Sequence, residues 1–103
     1  MVPFPFTDLS GRKRRPALVV SPEGFRRDLI LCAITSQVPE GLSEWEVALS
    51  AEDLAEGNLP KPSVIRVGKL FTMHASLIVG EFGGVREDKL LEVLGRLQTL
   101  FGK

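Results

Sequence analysis

The stretch that decides the fold is residues 2–21, VPFPFTDLSGRKRRPALVVS. An apolar segment with two prolines runs into a polar turn, and four consecutive cations follow at residues 12–15. Pro16 ends this basic run, and the continuously apolar residues 17–20 are typical of a buried strand. A loop that concentrates positive charge between two hydrophobic strands can bind an anion while the core stays dry. The stretch therefore predicts two strands joined by an anion-binding loop.

The rest of the chain alternates between short apolar runs and turn residues, which predicts further strands. The predicted strands are residues 1–6, 16–21, 29–34, 44–49, 63–67 and 77–79, and residues 86–101 form a C-terminal helix with an apolar stripe. Two prolines confine the first strand to a sheet edge or to a bulged pairing. Gly68 and Lys69 are predicted to break the fifth strand, and residues 70–75 to form either a short turn or a bent strand. Residues 51–62 are predicted to form a loop with room for one helical turn at 51–55. The fold class is mainly β with one C-terminal helix, as a small bent antiparallel sheet or barrel.

Length and composition are typical of one globular domain spanning residues 1–103, with 44% hydrophobic and 25% charged residues. The net charge is zero, which argues against a histone-like polycation. Residues 10–27 nevertheless hold six Lys or Arg and one acid, whereas residues 40–56 hold six acids and no cation. This asymmetry predicts an anion-binding face and an acidic face.

Several classes of site are not supported by the sequence. The single cysteine, Cys32, lies in an apolar run, so it is interpreted as a core residue in a reducing compartment. The single histidine, His74, is a candidate acid or base, although lone histidines are more often structural. No metal-ligand spacing or nucleotide-binding loop is present, so no metal and no cofactor are predicted. No signal peptide or membrane span is recognised, and a cytoplasmic protein is expected.

Arg15 and Thr35 are the leading candidates for chemistry. Pro16 fixes the preceding Arg15 in an extended backbone, and a guanidinium suits bidentate contact with phosphate. Thr35 follows the apolar run at 29–34, so it reaches the same rim as Arg15 if the two strands pair antiparallel. A guanidinium beside a hydroxyl can stabilise the pentavalent transition state of a phosphodiester. Two plainer interpretations stay open, because a charge run is often a solvated loop and polar residues often merely end a strand.

Arg66 and Lys69 are further candidates. Arg66 is a lone charge inside an apolar strand, so it either extends to solvent at a sheet edge or faces a ligand. Lys69 follows Gly68 and could extend the same positive rim.

Three segments together resemble the MazF/PemK family of toxin endoribonucleases. They are PFPFTDLSGRKRRPALVVS (3–21), ILCAITSQ (30–37) and KPSVIRVGKL (61–70), in the family's order and approximate spacing. The resemblance spans nearly the whole chain. It implies an SH3-like small barrel of the MazF/PemK/CcdB toxin type, a homodimer and a cognate antitoxin protein as partner. It also implies metal-independent cleavage of single-stranded RNA, in which a ribose hydroxyl attacks the neighbouring phosphate to leave a cyclic phosphate.

The resemblance also implies roles for individual residues. Arg15 is similar to the family's catalytic arginine, Thr35 to its transition-state-stabilising threonine, and Arg66 to an arginine that some members use as the acid. Ser10 lies in the loop where relatives place a polar substrate contact. The basic run, the polar strand ends and the positive rim add further predicted RNA-binding residues, which are Arg12, Lys13, Arg14, Ser36, Gln37, Arg66 and Lys69. Many relatives carry an acid two positions after the strand arginine, where this chain has Gly68. No obvious general base is identified, because arginine holds its proton at neutral pH. Glu81 or His74 could take this role only if the fold brings one of them to the site.

Two other classes of function stay open. One is a non-catalytic barrel that binds RNA or an antitoxin-like peptide, with Gly68 as the mark of lost activity. The other is a toxin of the same fold that acts on a protein such as DNA gyrase.

Overall fold

Seven strands and one α-helix make up the part of the chain that the structure, a computed structural model, describes: residues 3–8, 14–22, 27–59 and 61–102. The strands are β1 (Pro3–Asp8), β2 (Arg14–Val19), β3 (Asp28–Thr35), β4 (Glu46–Leu49), β5 (Leu54–Gly57), β6 (Ser63–His74) and β7 (Ile78–Val85). The helix is α1 (Glu87–Phe101), and single 3₁₀ turns lie at Ala51–Asp53 and Ala75–Leu77. The predicted fold class, mainly β with a C-terminal helix, is confirmed.

The seven strands form one antiparallel sheet in the order β4-β6-β3-β2-β1-β7-β5. Among the described residues β4 and β5 are its outer strands and do not pair with each other, so the sheet is not closed into a complete barrel. The centre of the sheet, where β2, β3 and β6 lie side by side, holds the segments that carry the predicted site.

β1 pairs through bulges, as its prolines require. It lies between β2 and β7 rather than at an edge, so the edge alternative was wrong and the bulged one is confirmed. The register with β7 shifts between Pro3 and Pro5 and again between Phe6 and Thr7. Proline has no N–H to donate, and within a sheet it is found mainly at edges and at such irregularities.

β6 does not end at Gly68 and Lys69, contrary to prediction. The whole strand is 12 residues long, from Ser63 to His74, and Gly68 and Lys69 lie in a bulge within it. Cys32 of β3 is opposite Leu70, whereas the next residue, Ala33, is opposite Arg66, so residues 67–69 have no partner on β3. The Val67 N–H donates to the carbonyl oxygen of Trp45 at 2.8 Å, which holds the bulged backbone from the β4 side. A hydrogen bond from outside the ladder therefore keeps the strand continuous.

β5 and most of β7 were also missed, because glycines were interpreted as strand ends. The predicted last strand at 77–79 extends to Val85, and β5 lies inside the predicted loop at 51–62. Gly83 has φ 157°, and a Cβ there would overlap the carbonyl oxygen of Glu56 on β5. Glycine at position 83 is thus required by the close approach of β5.

The main core lies between one face of the sheet and α1. It contains Leu18, Cys32, Ile34, Val47, Leu49, Leu59, Ile65, Val67, Val85 and Val93. A second cluster of Ala17, Val19 and Leu31 alternates with the first along β2 and β3, so it lies on the opposite face. Both strands are buried on both faces, which explains why their sequences are continuously apolar.

Burial of Cys32 predicts that the fold loses stability at alkaline pH. Cys32 has no exposed surface, and burial raises the pKa of its thiol from 9.0 to about 11. The unfolded chain loses this proton near pH 9, whereas the folded chain does not. The stabilisation of the folded state by the buried neutral thiol is therefore complete below pH 9 and is lost as pH rises toward 11. We expect the free energy of unfolding in urea to fall more steeply between pH 8.5 and 10.5 in the wild type than in Cys32→Ala. Equal slopes would contradict a buried neutral thiol.

Candidate functional site

A cavity of about 590 Å³ opens where the end of β3 meets the bulge of β6. Its walls include Pro16, Thr35, Gln37, Arg66, Lys69 and Phe71. Four residues predicted from the sequence to contact RNA or its phosphate, Thr35, Gln37, Arg66 and Lys69, therefore line one cavity. Ser36, also predicted, is exposed and does not line it.

The strand register brings the backbone of Arg15 to the edge of this first cavity. β2 and β3 pair antiparallel as predicted, with Ala17 opposite Ala33 and Leu18 opposite Cys32. The same register, continued by two residues, sets Arg15 level with Thr35, and Pro16 itself lines the cavity. The antiparallel pairing thus brings the two candidate catalytic positions to one rim of the sheet.

The Thr35 hydroxyl is oriented by its own backbone. Its Oγ1 accepts a hydrogen bond from the Gln37 N–H at 3.1 Å, and the residue is half-buried. Because this contact uses a lone pair of the oxygen, the hydroxyl proton remains available as a donor. A threonine hydroxyl held in this way can donate to a phosphate oxygen.

Arg66 lies inside the sheet, which removes one of its two predicted interpretations. β6 pairs with β3 on one side and β4 on the other, where Arg66 is opposite Ala33 and Glu46. It is therefore not an edge residue extending to solvent. Arg66 is half-buried, and its guanidinium forms no ion pair with any described carboxylate. A partly buried guanidinium that forms no ion pair is suited to an anionic ligand.

A second cavity, of about 340 Å³, lies on the β4 side of Arg66. Its lining residues are Ser43, Trp45, Glu46, Arg66, Gly68 and Lys69, and the last three also line the first cavity. The two cavities therefore form one continuous groove across β3, β6 and β4. Glu46 Oε1 accepts a hydrogen bond from the Ser43 N–H at 2.9 Å, which fixes this carboxylate at the edge of the groove.

Trp45 and Glu46 are the site residues that sequence reasoning missed. Both residues lie in the predicted strand at 44–49, where neither was assigned to the site, and Glu46 is one of the six acids of residues 40–56. The signal that would identify them is the pairing of β4 with β6, which sets Glu46 opposite Arg66. That pairing joins segments about twenty residues apart, and no local pattern specifies it.

Other predicted site residues lie elsewhere. Ser10, Arg12 and Lys13 lie outside the described residues. The side chains of Arg14 and Arg15, whose backbones begin β2, and of Glu81 in β7 lie outside them as well. His74 ends β6, far along the strand from Arg66. It is exposed, and its Nδ1 lies 2.7 Å from the Ser76 hydroxyl. The histidine lines neither cavity of the groove, consistent with the structural interpretation.

Two further observations hold for the described part of the chain. No three His, Cys, Asp or Glu residues there come close enough together to hold a metal ion. None of its helices has the length and apolar character needed to cross a membrane.

Comparison with known families identifies the chain. The sequence model of the PemK-like, MazF-like toxins of type II toxin–antitoxin systems matches residues 1–101. The chain belongs to this toxin family. The family resemblance of its three motifs is thereby confirmed. No curated protein sequence matches the chain.

Solved structures of family members share the fold over almost the whole chain. The Mycobacterium tuberculosis toxin MazF-mt6 is 20% identical with a TM-score of 0.77, covering 97% of this chain and 96% of that one. An endoribonuclease in complex with its cognate antitoxin, from a mycobacterial species, is 18% identical with a TM-score of 0.77 and coverages of 97% and 91%. A MazE–MazF complex from Deinococcus radiodurans is 26% identical with a TM-score of 0.76 and coverages of 97% and 91%. At these identities the first two matches establish the fold alone.

Proposed function

We propose that this toxin-family chain is an endoribonuclease that cleaves single-stranded RNA without a metal ion. The observation that carries the proposal is the first cavity, where Thr35, Arg66 and Lys69 line one surface beside the backbone of Arg15. Two cations and a donor hydroxyl suit a phosphodiester better than a neutral or cationic ligand. Family membership, and an endoribonuclease among the solved structures that share the fold, point the same way.

The proposed reaction is attack of a ribose 2′-hydroxyl on the neighbouring phosphorus. The new P–O bond closes a 2′,3′-cyclic phosphate, the bond to the 5′-oxygen of the next nucleotide breaks, and that oxygen takes up a proton. Negative charge grows on the non-bridging oxygens in the transition state. Arg15 and Thr35 are assigned to stabilise this charge, because fixed donors act most strongly where charge develops. The residues assigned to hold the RNA backbone and bases are Ser10, Arg12, Lys13, Arg14, Ser36, Gln37, Arg66 and Lys69.

Glu46 is assigned to remove the proton from the attacking hydroxyl. Arginine and lysine are protonated at neutral pH and cannot accept it. Among the described residues Glu46 is the only carboxylate that lines either cavity of the groove, and it lies opposite Arg66 across the β4–β6 pair. The carboxylate thereby supplies the base that the sequence motifs lack at position 68.

Glu46→Gln should lower the rate of RNA cleavage by about 10²- to 10⁴-fold, the usual contribution of a general base. Affinity for uncleavable RNA should change little, since glutamine keeps the size of the side chain. The measurement is single-turnover cleavage of a labelled RNA at saturating protein. Glu44→Gln is the matched control, because Glu44 is exposed and lines neither cavity. Wild-type cleavage by Glu46→Gln would exclude it as the base.

The proposed partners follow from the family. We propose a single domain that acts as a cytoplasmic homodimer and is neutralised by a cognate antitoxin protein. Solved structures that share the fold include complexes of a toxin with its antitoxin.

A titration with single-stranded RNA separates the proposed function from its alternatives. An endoribonuclease binds the RNA and cleaves it in buffer containing EDTA. Binding without cleavage would identify a non-catalytic module on the toxin fold. Absence of binding would favour a toxin directed at a protein such as DNA gyrase.

A further inference from the structure

We propose that the second cavity is a nucleobase subsite, in which a base next to the cleaved phosphate stacks on the indole of Trp45. This inference rests on the proposed RNA-cleaving function and adds to it a residue that selects how the RNA lies in the groove. Trp45 is half-buried and lines the open cavity, so part of its surface is available to a ligand.

Position 68, which lines this cavity, carries no side chain. Gly68 is exposed, and a Cβ at this position would lie 3.7 Å from the Cβ of Trp45, which is ordinary van der Waals contact. A longer side chain built on that Cβ would occupy the space beside the indole. The glycine on the β6 bulge therefore leaves space beside Trp45 for a planar group.

The backbone around Trp45 is held from three directions. Its N–H donates to the Ser43 hydroxyl at 3.2 Å, and its carbonyl oxygen accepts from the Val67 N–H at 2.8 Å. Arg96 of α1 donates from Nη1 to the carbonyl oxygen of the preceding residue, Glu44, at 2.8 Å. A platform fixed in this way loses little conformational entropy when a base stacks on it.

The charges around the indole favour RNA over an apolar protein segment. Apart from Trp45, every lining residue is charged, polar or glycine, so the cavity has no second apolar wall. Arg66 and Lys69 can contact the phosphates that flank a stacked base, and aromatic stacking with adjacent cations is the usual way to bind single-stranded nucleic acid. Trp45 and Glu46 are consecutive, so a base on the indole brings its own ribose toward the proposed general base.

The test uses the fact that the chain has one tryptophan and no tyrosine, so its intrinsic fluorescence reports on Trp45. A 2′-O-methyl oligoribonucleotide cannot be cleaved and serves as the probe. We expect it to quench the fluorescence of the wild-type protein in a saturable manner. Anisotropy of a dye on the same oligonucleotide measures binding independently of the tryptophan.

Two kinds of variant test the subsite, so that a folding defect in one of them still leaves the other as a test. Gly68→Leu fills the cavity and leaves Trp45 in place. It should abolish the quenching and weaken binding by about 5- to 100-fold, the range that loss of one stacked base implies. Trp45→Ala should weaken binding similarly, and Trp45→Phe should recover most of the affinity. Gly95→Leu is the matched control, because Gly95 is exposed on α1 and nothing lies within 4 Å of an added Cβ.

The outcomes separate this subsite from the proposed function. Two results would overturn the subsite and leave RNA cleavage intact. One is that the wild-type protein binds the oligonucleotide by anisotropy without quenching of its fluorescence, and the other is wild-type affinity in both Gly68→Leu and Trp45→Ala. No binding of any RNA by the folded wild-type protein would overturn the proposed function and the subsite with it.

Discussion

Arg15→Ala is expected to reduce RNA cleavage by about 10²- to 10³-fold, as removal of one transition-state donor does in other enzymes. The β2–β3 register sets this position level with Thr35, at the edge of the first cavity. The fold should be unaffected, because the pairing of β2 with β1 at this position is made by the backbone, which the substitution leaves in place. Single-turnover cleavage at saturating protein measures the effect on the chemical step, and a urea denaturation curve checks the fold.

Arg14→Ala is the matched control for Arg15→Ala, since it removes the same charge from the adjacent position at the start of β2. We expect it to weaken RNA binding by a small factor that shrinks at high salt, as loss of one phosphate contact does. Wild-type cleavage by Arg15→Ala would exclude a catalytic role for Arg15. An equal loss in both variants would mean that the basic run acts only through its total charge.

Arg66→Ala is expected to lower cleavage by about 10²-fold or more, because a charged donor in a partly desolvated site contributes several times what a neutral one does. Arg66 lines both cavities, is half-buried and has no ion-pair partner among the described residues. Its loss should therefore weaken RNA binding as well as slow the reaction. Arg66→Lys keeps the charge without the planar fork, so it should restore binding better than rate.

Arg27→Ala is the control for Arg66→Ala, because Arg27 is exposed and lines neither cavity of the groove. It should cleave RNA at the wild-type rate. If Arg66→Ala also kept the wild-type rate and affinity, the groove would not be the RNA site. If it unfolded at lower urea, Arg66→Lys would decide between a structural and a binding role.

The sequence predicted those parts of the site that depend on neighbouring strands. β2 and β3 are close in the chain and continuously apolar, so local pattern predicts both strands. The placement of Arg15 level with Thr35 was predicted on the condition that the two strands pair antiparallel, as they do. The helix α1 was predicted for the same reason, because its apolar stripe repeats at helical spacing. The sequence pattern of neighbouring strands was therefore sufficient to predict the half of the groove formed by β2 and β3.

The other half depends on long-range pairing that no local pattern reveals. Gly68 and Lys69 were predicted to break a strand because the hydrogen bond from Val67 to Trp45 comes from a segment about twenty residues away. For the same reason Glu46 was not separated from the other acids of residues 40–56, although it is the one that lines a cavity. The sequence shows that this stretch is acidic, but only the β4–β6 register shows which acid lies opposite Arg66.

The measurement that tests the central claim most directly is identification of the RNA ends produced in EDTA. Wild-type protein and Arg15→Ala are incubated with a single-stranded RNA, and the products are analysed by mass spectrometry. Attack by the ribose hydroxyl predicts cyclic-phosphate and 5′-hydroxyl ends, from the wild type only. Intact RNA, recovered from a folded wild-type protein that binds it, would contradict the claim and identify a binding module on the toxin fold.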